Sequence, residues 1–144
     1  MPVMSREEKK ELTSKMKFLY DKGYTFDEDC EYGFSLRNKN IRVAVYSGRY
    51  TDAPDILVRF LAENEIFQIG WMSFMMDKER NINTEDVLAT LFYFLDFIEK
   101  NYEKIIDIEF CREKSEEIDT YIKENFPPLP FDAYYVNPSK KRKE

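Results

Sequence analysis

Between residues 32 and 72, apolar side chains recur at every second position in four successive runs. A strand puts alternate residues on one face, so this period points to strands with one face in a core. The runs are Tyr32, Phe34 and Leu36; Ile41, Val43 and Val45; Ile56, Val58 and Phe60; and Phe67, Ile69 and Trp71. Asn38-Lys39-Asn40 joins the first two as a hairpin, SGRYTDAP (47–54) is loop chemistry, and Glu63-Asn64 makes a short turn before the last. The pattern predicts a four-stranded antiparallel meander. Its opposite face carries Ala44, Tyr46, Leu57, Leu61, Ile66 and Met72, although a one-sided antiparallel sheet normally turns a more polar face outward.

Helical signals flank this block. Ser5 with Glu8 matches a capping box, and Leu12, Met16, Leu19 and Tyr20 recur at helical spacing, so a helix is expected over 6–22, closed by Gly23. After the meander, Asn83 or Thr84 can cap a second helix over 84–101. Its centre, VLATLFYFLDFI (87–98), puts Val87, Leu88, Leu91, Phe94, Leu95, Ile98 and Tyr102 on one stripe, with Phe92, Tyr93 and Phe97 outside it. This run is well short of the ~20 residues that span a bilayer, and Asp96 interrupts it. Farther on, Ile106, Ile108 and Phe110 alternate as in a strand, whereas Ile108, Cys111, Ile118 and Ile122 fit a helix. The reading taken is a short extended piece over 105–110, then a helix over 113–125 ended by Pro127 and Pro128. The fold expected is α+β: an N-terminal helix, a four-stranded antiparallel meander, then C-terminal helices packed on one sheet face. Residues 1–138 would form one domain, PPLPFDAYY would dock on it through its aromatic residues, and 139–144 would be a disordered basic tail.

Charge and residue usage limit the function. The net charge is −6, and because the tail Lys140 to Glu144 carries +3, the preceding body carries −9. Nucleic acid and anionic membranes are poor partners for such a body. The chain has no His, which excludes Ser-His and Cys-His nucleophile pairs and removes the commonest metal ligand. Cys30 and Cys111 lack CxxC spacing, and MPVMSREEKK has no apolar leader core, so reduced thiols and a cytoplasmic location are expected. DKERNINTED imitates the start of a calcium loop but has Ile82 where the sharp turn needs Gly and Leu88 where the bidentate Glu belongs. No catalytic, cofactor-binding or metal-binding set is assigned.

The remaining candidates concern partner binding. Asp27, Glu28, Asp29 and Glu31 form a dense acidic run, and Glu103, Asp107, Glu109, Glu113, Glu116, Glu117, Asp119 and Glu124 make the C-terminal half acidic as well. Tyr46, Leu57, Leu61 and Met72 on the second sheet face, with Phe92, Tyr93 and Phe97 on the helix, are surplus apolar surface suited to a protein interface.

With DILVRFLAENEIFQIGWMSFMMD followed by LFYFLDFIEKNYEKIIDIEFCREK, the chain resembles the small acidic α+β immunity proteins that bacteria encode beside secreted toxins. The resemblance is one of overall pattern over roughly residues 5–125 and carries no binding residues across. It implies a non-enzymatic cytosolic protein that occludes a basic toxin. Two other readings stand beside it: a small-molecule-binding domain or carboxylate-based hydrolase with a cavity between sheet and second helix, and a structural homodimer through the second sheet face.

Overall fold

A computed structural model describes residues 3–48, 53–83 and 85–126 of the chain. The N-terminal helical region is α1 (Arg6–Lys15) and α2 (Lys17–Asp21). Five strands follow: β1 (Thr25–Cys30), β2 (Gly33–Arg37), β3 (Ile41–Tyr46), β4 (Asp55–Phe60) and β5 (Glu65–Gln68). The rest is helical: α3 (Ile69–Met76), α4 (Val87–Lys100), α5 (Tyr102–Ile105) and α6 (Ile108–Asn125). The strands lie in sequence order, each antiparallel to the next, so the fold is the α+β meander the alternation implies, with one strand more. The extra strand is β1, built from the acidic run TFDEDC at the sheet edge, where high charge does not disturb a core.

Local chemistry sets the helix ends. Ser5 accepts the Glu8 N–H while the Glu8 carboxylate accepts the Ser5 N–H, completing the capping box. The expected single helix breaks at Met16, whose backbone (φ −97°, ψ 13°) leaves the α region and turns α2. Gly23, at φ +94°, then ends α2 in the left-handed conformation that glycine adopts at least cost. At α4 the cap is Asp86, which accepts the Ala89 N–H, and the helix therefore starts at Val87 rather than 84. Asn83 instead accepts the Glu85 N–H.

The expected extended piece at 105–110 is helical. Here α5 turns at Ile106, and Asp107 caps α6 by accepting the N–H groups of Glu109 and Phe110, so a local cap outweighs three alternating apolar residues. The PPLPFDAYY segment and the basic tail lie outside the described residues.

The largest departure lies in EIFQIGWMSFMM. Its alternation suggests one strand through Met72, yet only Glu65–Gln68 is extended and Ile69–Met76 is α3. From Ile69 to Met76 nearly every residue is apolar, so strand and helix periods fit equally well and a tertiary contact decides. That contact is Asp55, at the start of β4, whose Oδ1 accepts the N–H of Gly70 at 2.8 Å and of Ile56 at 2.7 Å. A Cβ on residue 70 would sit 3.1 Å from the Asp55 carboxylate, so glycine permits the approach. Met72 consequently lies in the core at 1% exposure and not on the second sheet face, and Trp71 leaves the first face to meet Tyr121 of α6 edge-on.

One continuous core joins sheet and helices. The first face of the sheet contributes Phe34, Leu36, Ile41, Val43, Val45, Ile56, Val58, Phe60 and Phe67, all buried. Against it lie Leu12, Met16 and Leu19 from the N-terminal helices, Leu91, Phe94, Leu95 and Ile98 from α4, and Cys111, Ile118 and Ile122 from α6. Each such side chain is worth ~1.5–3 kcal/mol on burial, which makes this cluster the main driving force.

Burial pushes the Asp55 pKa up to about 6 from an ordinary 3.8, against the opposing pull of the Gly70 and Ile56 N–H groups and of Arg80. Because the folded value is raised, the contribution to stability is full below pH 3.8 and is lost as pH rises through 6. Asp55→Asn keeps an acceptor oxygen and removes the titration. In denaturant unfolding across that window, the wild type is expected to lose roughly 2–3 kcal/mol relative to this variant. Parallel pH curves would show that the fold leaves the Asp55 pKa at its ordinary value.

Candidate binding surface

The second face of the sheet is polar and apolar in ranks set by the strand register. Arg37 on β2 lies opposite Arg42 on β3, Arg42 opposite Arg59 on β4, and Arg59 opposite Ile66 on β5. The neighbouring rank is Ser35, Ala44, Leu57 and Gln68. Arg37, Arg42, Leu57, Arg59 and Ile66 are half-buried, in contrast to the sealed first face. Tyr46, at the end of β3, is 36% exposed.

The acidic run is divided by a bulge between Phe26 and Glu28. A bulge places an extra residue in one strand and re-aims its side chain. Here that residue is Asp27, whose Oδ2 accepts the Arg42 Nε–H at 2.7 Å and the Ser35 hydroxyl at 3.2 Å. Asp29 instead pairs with Lys9 of α1 at 2.6 Å, and the same ammonium reaches the Cys30 carbonyl at 2.7 Å. Glu28 and Glu31 are exposed. The four carboxylates expected to act together thus do two different jobs: Asp27 and Asp29 fasten the edge strand to the fold, whereas Glu28 and Glu31 face solvent.

The other sequence candidates also separate. Leu57 stays on the second face, while Leu61 lies in the β4–β5 turn and donates its N–H to the Asn40 carbonyl. Phe92, Tyr93 and Phe97 are half-buried beside the core. The Lys15 ammonium lies 5.4 Å from the Phe92 ring centre while also pairing with Asp96, and Arg80 lies 6.0 Å from the Tyr93 ring. Such contacts cover part of the off-stripe ring surface from within the chain.

Two features escaped the sequence reading. One is the arginine rank, invisible until register aligns residues from three strands. The other is a cleft of 440 Å³ between β5 and α6, lined by Glu65, Phe67, Glu109, Arg112, Glu113, Ser115 and Glu116. Its guanidinium is already engaged: Arg112 donates to both Glu65 oxygens, at 3.0 and 2.5 Å, and to Glu109 at 2.8 Å. This bidentate hydrogen bonding holds the Glu65 carboxyl below its ordinary range. The cavity expected between sheet and second helix is instead occupied by core, with Leu91, Phe94, Leu95 and Ile98 each at most 2% exposed.

Among the described residues no group of three or more Cys, Asp or Glu side chains is placed to hold a metal ion, and no helix is long and apolar enough to cross a membrane. Both cysteines are free. Cys30 is exposed, whereas Cys111 is fully buried with its thiol pKa pushed up to about 12 by desolvation, far from the thiolate form that reacts. Comparison with family models, with curated proteins and with solved structures finds no match.

The two kinds of carboxylate should respond differently to truncation. Asp27→Ala strands the half-buried Arg42 guanidinium and is expected to cost about 1–3 kcal/mol in urea unfolding. Glu28→Ala, on the exposed side of the bulge, should stay within about 0.5 kcal/mol of wild type.

Proposed function

We propose that this chain is a non-enzymatic protein-binding domain of the immunity type, which neutralises a cognate toxin by occluding a basic surface on it. The observation that carries the reading is the state of β1. It is the first strand in the sheet order, and Glu28, Asp29, Cys30 and Glu31 at its end are exposed; Lys9 holds Asp29 and the Cys30 carbonyl, and the Met4 N–H donates to the Glu31 carbonyl, which leaves the stretch before them as the open edge. Phe26, at its start, is 54% exposed while stacked on Phe34 at 6.4 Å. An open edge offers backbone hydrogen bonds to an incoming strand, and its carboxylates select one that carries Lys or Arg. Self-pairing of β1 would bring like charges face to face, which disfavours this edge as a homodimer contact.

Opposite-charge complementarity of this kind raises association rates and rejects wrong partners more than it raises affinity. It also agrees with the body charge of −9. The β5–α6 cleft favours a second reading, binding of a small molecule, because its 440 Å³ falls within the ~300–1,000 Å³ of ligand sites. Its lining is carboxylate-rich, however, and Arg112, the cation among its described lining residues, is held by Glu65 and Glu109.

The test is growth rescue. Each secreted-toxin candidate encoded beside the gene is expressed in cells with and without this chain. Protection by the wild type, lost in a Glu28→Lys/Glu31→Lys variant that still folds, is the expected result. A failure of the wild type to protect against any of them, or unaltered protection by the double variant, would sink the proposal.

A further inference from the structure

The rank Arg37–Arg42–Arg59 is an arrangement that folding alone does not reward. Like charges directly opposite each other on neighbouring strands destabilise a sheet, and here two successive pairs are both arginine. Among the described residues one carboxylate touches the rank: Asp27 takes the Arg42 Nε–H. Arg37 uses its Nε–H on the Asn38 carbonyl at 3.1 Å, and Arg59 donates from Nη2 to the Asn64 side-chain oxygen. Neither has an ion-pair partner among the described residues. The Arg59 Nε is moreover buried without an acceptor among the described residues, and a buried donor left unmade is costly.

We infer that this rank, with Leu57 and Ile66 beside it, is a docking site for a carboxylate-bearing segment of a partner protein. Charge complementarity names the occupant. The three arginines stand on adjacent strands, whose backbones lie ~4.8 Å apart, and each guanidinium offers several donors in a planar fork matched to carboxylates. The cationic rank ends in Ile66 and is flanked by Leu57, both half-buried, so the ligand must carry apolar groups beside its acids. A peptide with interleaved acidic and apolar side chains meets that description. A nucleic-acid backbone does not, because it is anionic throughout and has no apolar side chains to set against Leu57 and Ile66. The site does not depend on whether the partner is a toxin. It adds a cationic contact to a chain whose net charge suggests acidic contacts alone.

The test uses the full chain with 15N-labelled arginine, followed through its Nε–Hε resonances. The probe is a short peptide alternating Glu and Leu, with a Lys-Leu peptide and inorganic phosphate as controls. Saturable shifts at Arg37, Arg42 and Arg59 with the Glu-Leu peptide alone are expected, and Arg37→Gln/Arg59→Gln should weaken binding about ten-fold or more. Arg59→Leu should weaken binding, read at the Arg37 and Arg42 resonances, by less than the double variant does while raising the denaturation midpoint, since it removes a like-charge pair and an unpaired donor. A fall in that midpoint would make the rank a structural feature and overturn the inference. So would the absence of saturable shifts at millimolar peptide, or equal shifts with phosphate. Self-association in light scattering that Arg59→Gln abolishes would make a second copy the occupant and overturn it as well.

Discussion

The Asp55 carboxylate against the Gly70 N–H decides where the sheet stops. It sits at the start of β4 and reaches across to the first turn of a helix that begins as β5 ends. A carboxylate at a helix N-terminus satisfies an orphan donor and complements the helix dipole, so the residues after Gln68 have a reason to coil. Were they extended, Met72 would point away from the core and Trp71 would not meet Tyr121. Arg80 completes the arrangement by donating to the Gly70 carbonyl at 3.1 Å, with its guanidinium over the rings of Phe74, Tyr93 and Phe94. The turn from β5 into α3 also brings α6 alongside, where Arg112 of α6 joins Glu65 of β5.

Among the described residues the helices seal the first face, whereas the second face keeps Arg37, Arg42, Leu57, Arg59 and Ile66 half-buried beside a buried Ser35 and Ala44, and the β1 edge keeps Glu28 exposed. They differ in sign. The edge is acidic and exposed, with an aromatic ring at its start, whereas the face beside it carries three guanidinium groups and an apolar strip. Asp27 stands at the boundary and belongs to both: it arises from the acidic run and is consumed by Arg42. A net charge of −6 therefore describes the whole chain poorly at the scale of an interface.

Much of the architecture was legible in the sequence because it depends on near neighbours. The capping box at Ser5, the termination at Gly23, the alternation of β2 to β4 and the apolar stripe of α4 all rest on contacts within a few residues or on a fixed period. Legibility failed where two periods fit the same residues, as in Ile69–Met76, or where a single cap such as Asp107 outweighed a weak pattern. The binding surface was less legible still. Asp27, Glu28, Asp29 and Glu31 are adjacent in the chain, yet a bulge and a lysine from α1 assign them to separate roles. Leu57 and Tyr46 were read from alternation, but nothing in that alternation placed arginines from three strands side by side.

Hydrophobic period and capping chemistry are local, so an α+β chain with a meander and flanking helices follows from the order of its residues. That residues 69–76 coil, that Met72 is core and that Arg37, Arg42 and Arg59 form one rank emerges from long-range packing. Each of these is set by partners distant along the chain, through a carboxylate 15 residues away or a strand register, and such pairings have no signature in a single stretch of sequence.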